Sequence, residues 1–293
     1  MRVAVYGRLF KLKNKQYVQE VFDELNALGI SYSIHQQYYK QFKDSITLNQ
    51  APDLFAGHKD IKDKVDFMLS LGGDGTILDT IEFVQNSNIP ILGINLGRLG
   101  FLAHTSRNDI SHALKALKNR SFHIEKRSLI HVDSNQPLFK GVNYGLNEFS
   151  IHKKDSSAMI TIHTYINGEL LNSYWADGLI VATPTGSTGY SLSCGGPIIF
   201  PNSENFVITP IAPHNLNVRP IVIDDSSVLS FEIEGRSDSF LVTLDSRYET
   251  VDKSFQLALR KEKFSVSLLQ INDINFLNTL RDKLMWGADQ RNY

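Results

Sequence analysis

The feature that most constrains this chain is an apolar run that stops in glycines and restarts as a helix. Residues 65–71 are largely apolar and end in Leu71-Gly72-Gly73-Asp74-Gly75-Thr76, and residues 76–85 carry helical spacing. A strand that passes into a helix through glycines predicts an open α/β sheet, whose ligands gather at the carboxyl ends of its strands. Bare backbone lets a phosphate approach closely, and the helix N-terminus offers it unpaired amides. Asp74 puts a carboxylate in that turn. It can orient or deprotonate a hydroxyl or help hold a magnesium ion. The plainer alternative is an ordinary strand-to-helix turn. The segment is neither G-x-x-x-x-G-K-[ST] nor G-x-G-x-x-G, since Leu78 stands where a third glycine would, so a P-loop and a hydride-transfer fingerprint are both disfavoured.

The rest of the first half alternates in the same way. Residues 3–6 form a compact apolar run, and Val18, Val21, Phe22, Leu25 and Leu28 follow at helical spacing, closed by Gly29. Ile30, Tyr32 and Ile34 alternate like a strand. Residues 40–63 are polar and weakly patterned and predict a long mobile loop. Residues 90–94 read as a strand, and Ser106 with Asp109 resembles a capping box opening a helix that runs to about Lys118. Alternating strands and helices predict a parallel sheet with helices on its faces.

After Phe122 the character changes. Residues 159–166 alternate and meet Asn167-Gly168, a hairpin signal. Residues 228–233, 240–244 and 264–269 are further short strands, so this half predicts an all-β unit, sandwich-like or barrel-like. The tail, residues 273–286, is helical again. The division expected is residues 1–122 plus 271–293 as an α/β domain and 123–270 as a β domain.

Charge narrows the partners. Lysine plus arginine number 30 and aspartate plus glutamate 31, so the basic surplus of a general nucleic-acid or anionic-membrane binder is missing. No stretch approaches the ~18 apolar residues of a membrane span. The single cysteine, Cys194, permits no intramolecular disulfide and reads as a small buried filler. Histidines at no metal-binding spacing predict no dedicated metal cage. The chain is expected to be cytoplasmic and soluble.

Three more segments carry chemistry. Gly93-Ile94-Asn95-Leu96-Gly97-Arg98-Leu99-Gly100 is a second glycine loop after a strand, with Asn95 facing a ligand or, alternatively, a turn that leads Phe101 and Leu102 back into the core. Asn147-Glu148 offers an amide and a carboxylate suited to sugar hydroxyls and base edges, although such a pair is commonly a solvated turn. Within residues 175–197 a strand, starting about Asp177-Gly178, leads into a loop rich in hydroxyls and glycine with one aromatic, Tyr190, able to stack on a base. Its alternative is a purely structural Ser/Thr/Gly loop.

Together and in this order, these segments resemble the NAD kinase family. The match extends through Pro210-Ile211-Ala212-Pro213-His214, Arg219-Pro220, Asp245-Ser246-Arg247 and Leu280-Arg281-Asp282-Lys283-Leu284, from about residue 66 to 287. The resemblance implies a Rossmann-like α/β N-terminal domain, an all-β sandwich-like C-terminal domain and a C-terminal helix returning to the first. It implies transfer of a phosphoryl group from ATP, or another donor, to the 2′-hydroxyl of the adenosine ribose of NAD. The divalent ion, Mg2+, would come with the donor, and the chain would be a homodimer or homotetramer. Asp74 matches the proton acceptor. Asn147, Glu148, Asp177, Thr188, Tyr190, Ser193 and Ala212 match dinucleotide contacts, with Gly75, Gly189, Ser191 and Leu192 in the same loops and Arg247 beside them. Gly72, Gly73, Thr76 and Asn95 belong to the phosphate loops. Gly189 departs from the usual alanine, and Trp175 stands at a variable position that carries no role. Two rivals are a lipid kinase of the diacylglycerol or sphingoid type, which shares the glycine-aspartate turn, and a non-catalytic dinucleotide sensor.

Overall fold

The computed structural model describes residues 1–154, 158–271 and 276–285. The chain divides into two compact units, Met1–Lys126 joined by the segment from Val266 onward, and Arg127–Ser265.

The first unit is built on β1 (Arg2–Tyr6), β2 (Ser31–His35), β3 (Asp53–Phe55), β4 (Phe67–Leu71), β5 (Ile91–Asn95), β6 (Thr105–Ser106) and β7 (His123–Arg127). The order runs β3-β2-β1-β4-β5, then the strand Val266–Gln270, then β7, with β6 beside β5. The pairs from β3 through β5, and that of β5 with Val266–Gln270, are parallel. Between the strands run α1 (Lys15–Ala27), α2 (Gln36–Phe42), α3 (His58–Ile61), α4 (Asp74–Val84) and α5 (Ile110–Asn119). Val18, Val21, Phe22 and Leu25 of α1 and Ile110, Ala113, Leu114 and Leu117 of α5 share a core with Val3, Val5, Leu69 and Leu92. This is the i, i+3, i+4, i+7 face expected of a helix laid on a sheet. The C-terminal helix Phe276–Leu284 belongs to this unit, and Phe276 lies against Phe101 with ring centroids 6.4 Å apart. The outer parts of the predicted tail helix, at residues 273–275 and 286, lie outside the described residues.

Besides the inserted strand Val266–Gln270, chain order and sheet order diverge between β1 and β4. From β1 the chain goes outward to β2 and β3, then crosses back to β4 and β5 on the other side. The strand order therefore reverses between β1 and β4, and the carboxyl ends of these two strands flank the crevice where open α/β sheets take their ligands.

The second unit stacks two six-stranded antiparallel sheets. One runs in the order 221–224, 205–211, 178–182, 148–153, 239–244, 247–252. The other runs 169–176, 160–166, 229–234, 257–261, 130–134, 144–145. Phe149, Ile151, Val181, Phe206 and Val242 of the first sheet share one buried cluster with Val132, Ile162, Tyr174, Phe231 and Leu259 of the second. Asn167 and Gly168 both take positive φ, 51° and 87°, in the two-residue turn joining Ile160–Ile166 to Glu169–Ala176.

Two expectations are corrected. Residues 40–63 are not one long loop, because α2 extends to Phe42 and β3 and α3 follow. Tyr38, Phe42, Ile46, Phe55 and Ile61 are buried, the first three four residues apart and the last two at wider intervals, so no one period runs through the whole stretch. The strand read at 264–269 is Val266–Gln270, and it completes the parallel sheet of the first unit. The two compact units meet along the chain at 126/127 and 265/266. A short apolar strand carries no mark of which sheet it joins.

Candidate active site

In the first unit, Gly73 caps α4 and Asp74 is its first helical residue. The Asp74 carboxylate accepts three backbone N–H groups from the second glycine loop: Phe101 to Oδ2 at 2.7 Å, and Leu102 and Ala103 to Oδ1 at 3.1 and 3.0 Å. A carboxylate has about four acceptor positions, so one is left for a ligand. The approach requires Gly100, because a Cβ there would lie 1.8 Å from Asp74 Oδ1. Asp74 thus knits the two glycine loops together.

Asn95, expected to face a ligand, is buried and uses both ends of its amide on its own turn. Oδ1 accepts from Gly97 N at 2.7 Å and Nδ2 donates to Arg98 O at 2.9 Å. It shapes the second loop while lining the same pocket as Gly72, Gly73 and Thr76.

That pocket, about 270 Å3, opens at the β1/β4 switch point, and it brings in residues that sequence reading missed: Arg8, Lys11, Lys13 and Arg98. Arg8 grips Asp79 with Nε at 2.6 Å and Nη2 at 2.5 Å, and donates to Gly75 O at 3.0 Å. Tyr6 adds a hydrogen bond to Asp79 at 3.0 Å. Burial first, then the neighbouring Asp79, hold the Tyr6 hydroxyl well above the usual phenol range. The signal available was position: residues 8–15 are a basic stretch directly after the first strand of a parallel sheet. A larger hollow of about 710 Å3 on the sandwich is lined by Asp133, Glu232 and Asp252 but by none of the motif residues, so size alone does not mark the chemistry.

In the second unit, Asn147 and Glu148 are held from behind by Asp245. Its inward-facing carboxylate accepts the backbone N–H of Leu146 at 2.7 Å, Asn147 at 2.8 Å and Glu148 at 3.2 Å. Burial pushes the Asp245 carboxyl up against the opposing pull of those amides. Burial, and then the nearby Asp245 charge, push Glu148 up to about 8. Glu148 Oε2 and Asn147 Oδ1 are shielded from solvent and hydrogen-bond to no protein group among the described residues. The amide and carboxyl of this dipeptide are therefore poised for a polar ligand, since buried polar atoms ordinarily find partners.

The hydroxyl-rich loop is largely self-bonded. Thr183 Oγ1 donates to Leu146 O at 2.6 Å, Ser187 Oγ donates to Pro184 O at 2.7 Å and accepts Ile199 N at 3.0 Å, Thr188 Oγ1 donates to Thr185 O at 3.3 Å, and Ser191 Oγ pairs with Thr209 Oγ1 at 2.8 Å. A Cβ on Gly186 would fall 2.1 Å from Asn147 O, and one on Gly189 3.1 Å from Glu148 Oε2, so the loop lies directly on the Asn147-Glu148 pair. It leaves Tyr190 and Ser193 exposed, with Leu192 and Thr188 half-buried. Tyr190 stacks on His152, ring centroids 5.9 Å apart at 21°. Asp177 pairs with Lys153 at 2.5 Å, and strand register sets Gly178 opposite Ile211, beside Ala212 at φ 44°. Cys194 packs on Ile180, Ala182 and Ile211, and burial raises its thiol above the usual range, as suits a filler. Arg247 donates to Val142 O and, at 2.5 Å, to Tyr144 O, which commits its guanidinium to the protein's own carbonyls.

Comparison with known proteins decides the family. Residues 5–122 match the ATP-NAD kinase N-terminal domain and 146–267 the ATP-NAD kinase C-terminal domain. A protein named NAD kinase from Cytophaga hutchinsonii is 49% identical over 293 residues, covering 100% of both chains. The chain belongs to the NAD kinase family. A second NAD kinase, from Flavobacterium psychrophilum, is 42% identical, again over 100% of both chains. Among solved structures, an NAD kinase from Archaeoglobus fulgidus in complex with ATP superposes with a TM-score of 0.72 at 25% identity, covering 97% of this chain and 99% of that one. Yeast NADH kinase complexed with NADH shares the fold, with a TM-score of 0.87 at 20% identity, covering 99% and 88%. Among the described residues, no group of three or more His, Cys, Asp or Glu side chains is placed to hold a metal ion, and no helix is long and apolar enough to cross a membrane.

Proposed function

We propose that this chain transfers the γ-phosphoryl group of ATP to the 2′-hydroxyl of the adenosine ribose of NAD, giving NADP and ADP, in the cytoplasm. The observation that carries the reading is Asp74, a carboxylate fixed by three amides at a phosphate-type glycine turn with one acceptor position open. The 2′-hydroxyl oxygen attacks phosphorus in line, the bond to the β-phosphate oxygen breaks, and Asp74 orients the hydroxyl and accepts its proton. Positioning and charge neutralisation supply most of the rate in such transfers. The backbone of Gly72, Gly73 and Gly75, with Thr76, cradles donor phosphates, and Asn95 shapes their loop.

Asn147, Glu148, Asp177, Tyr190, Ser193 and Ala212 bind the dinucleotide, with Thr188, Gly189, Ser191 and Leu192 building the surface that presents Tyr190. Arg247 serves by bracing the segment before Asn147. Magnesium, brought with the donor, neutralises phosphate charge. The carboxylate of the turn is taken up by amides, so the donor's own phosphates and water suit the ion better than a protein cage. A homo-oligomer is the expected working form. The loop that lies on Asn147-Glu148 exposes Tyr190 and Ser193, a ring for stacking and a hydroxyl, which favours a dinucleotide over a lipid acceptor.

The test is Asp74→Asn. Turnover is expected to fall at least about a hundredfold with the KM for NAD within a few fold. Turnover near that of the unmodified chain removes Asp74 from the chemistry.

A further inference from the structure

We propose that Lys11, Lys13 and Arg98 form an electrostatic clamp for the donor's phosphate chain, which rests on the reading that the switch-point pocket serves the phosphoryl donor. Four cations and no carboxylate line this pocket. They come from two separated segments: Arg8, Lys11 and Lys13 follow β1, and Arg98 lies in the loop after β5. Adjacent parallel strands deliver both segments to the same sheet edge as the Gly72-Gly73 turn.

The four cations do different work. Arg8 spends its charge on Asp79 and its Nη2 on Gly75 O, fixing the start of α4. Lys11, Lys13 and Arg98 are exposed, and no carboxylate among the described residues pairs with them. Three unneutralised cations converging on one small hollow repel each other, in a chain whose net charge is only −1. An arrangement of that kind suits a bound polyanion, with point-charge lysines and a forked arginine as complementary phosphate donors. Gly73 brings no side-chain cap to α4, so the first-turn amides add donors of the same sense. The pocket lining holds no aromatic ring on which a base could stack, so the recognised feature is the phosphate chain itself.

Inorganic tripolyphosphate with magnesium is the probe. In the full chain it should inhibit competitively against ATP and not against NAD. The double variant Lys11→Ala/Lys13→Ala, and separately Arg98→Ala, should raise the KM for ATP about tenfold and weaken tripolyphosphate inhibition by the same factor. The KM for NAD should stay within about twofold, and Lys11→Arg/Lys13→Arg should restore the KM for ATP. Lys118→Ala, which removes an exposed charge elsewhere on the unit, should change neither constant. An unchanged KM for ATP in both alanine variants, or inhibition not competitive with ATP, overturns the clamp. Calorimetric titration with tripolyphosphate separates the clamp from the kinase reading. Binding that the variants lose, in a chain that turns over no NAD, upholds the clamp while the kinase reading fails. No binding to the unmodified chain sinks the clamp whatever the activity.

Discussion

Gly100 and Asp74 depend on each other. A methyl group on residue 100 would sit inside contact distance of the carboxylate, which would have to leave its three amides. Gly100 has no positive φ, so the cost of alanine is contact and not backbone strain. Gly100→Ala is therefore expected to lower turnover by about a hundredfold, the scale of a 1 Å misplacement of a reacting group. A variant with ordinary turnover would mean that the carboxylate position is not critical. Glu148 makes a prediction in pH. Its folded pKa of about 8 lies above the 4.5 of the unfolded chain. Stability from the neutral carboxyl is thus fully present below about 4.5 and is lost as pH rises toward 8. Glu148→Gln cannot ionise. Its melting temperature should exceed that of the unmodified chain at pH 8.5 by roughly 2–4 °C or more, with the gap closing at pH 5. A gap that widens toward acid would contradict the assigned environment. Asp74 was legible in the sequence as a lone acid among glycines. Asp245 was legible only through resemblance, because its partners are backbone amides almost a hundred residues away.

At the scale of elements, the loop of residues 183–197 separates scaffold from display. The sequence could not tell a ligand-facing run of hydroxyls from a structural one, because both look the same until the backbone partners are known. The hydroxyls of Thr183, Ser187, Thr188 and Ser191 turn inward, whereas Tyr190 is 42% exposed. Ser187→Ala removes the partner of the Ile199 amide in a part-buried setting, so its cost should be about 1 kcal/mol, read as a melting temperature a few degrees lower. Tyr190→Ala should leave the melting temperature within about 1 °C while raising the KM for NAD roughly five- to tenfold, the worth of one stacking contact. The opposite pattern in the two variants would reverse the assignment. Strand and helix alternation was readable wherever apolar residues kept one period, as in α1 and α5. It failed over residues 40–63, where buried aromatics are spaced irregularly.

For the whole molecule, fold class followed from the change of period near residue 122, but the membership of the strand Val266–Gln270 did not, since it is the return of a distant segment to the first sheet. The cationic side of the switch point was hidden for a related reason. It needs strand order, which places β1 beside β4, whereas the sequence offers only chain order. The account stands on a hydroxyl of one substrate being esterified by phosphate from another. Purified chain with ATP, magnesium and NAD, coupled to a dehydrogenase that accepts only NADP, measures that directly. The account predicts NADP accumulating with one ADP formed per NADP, abolished when ATP is left out. ADP released without NADP, or no turnover of NAD by a folded chain, would contradict it.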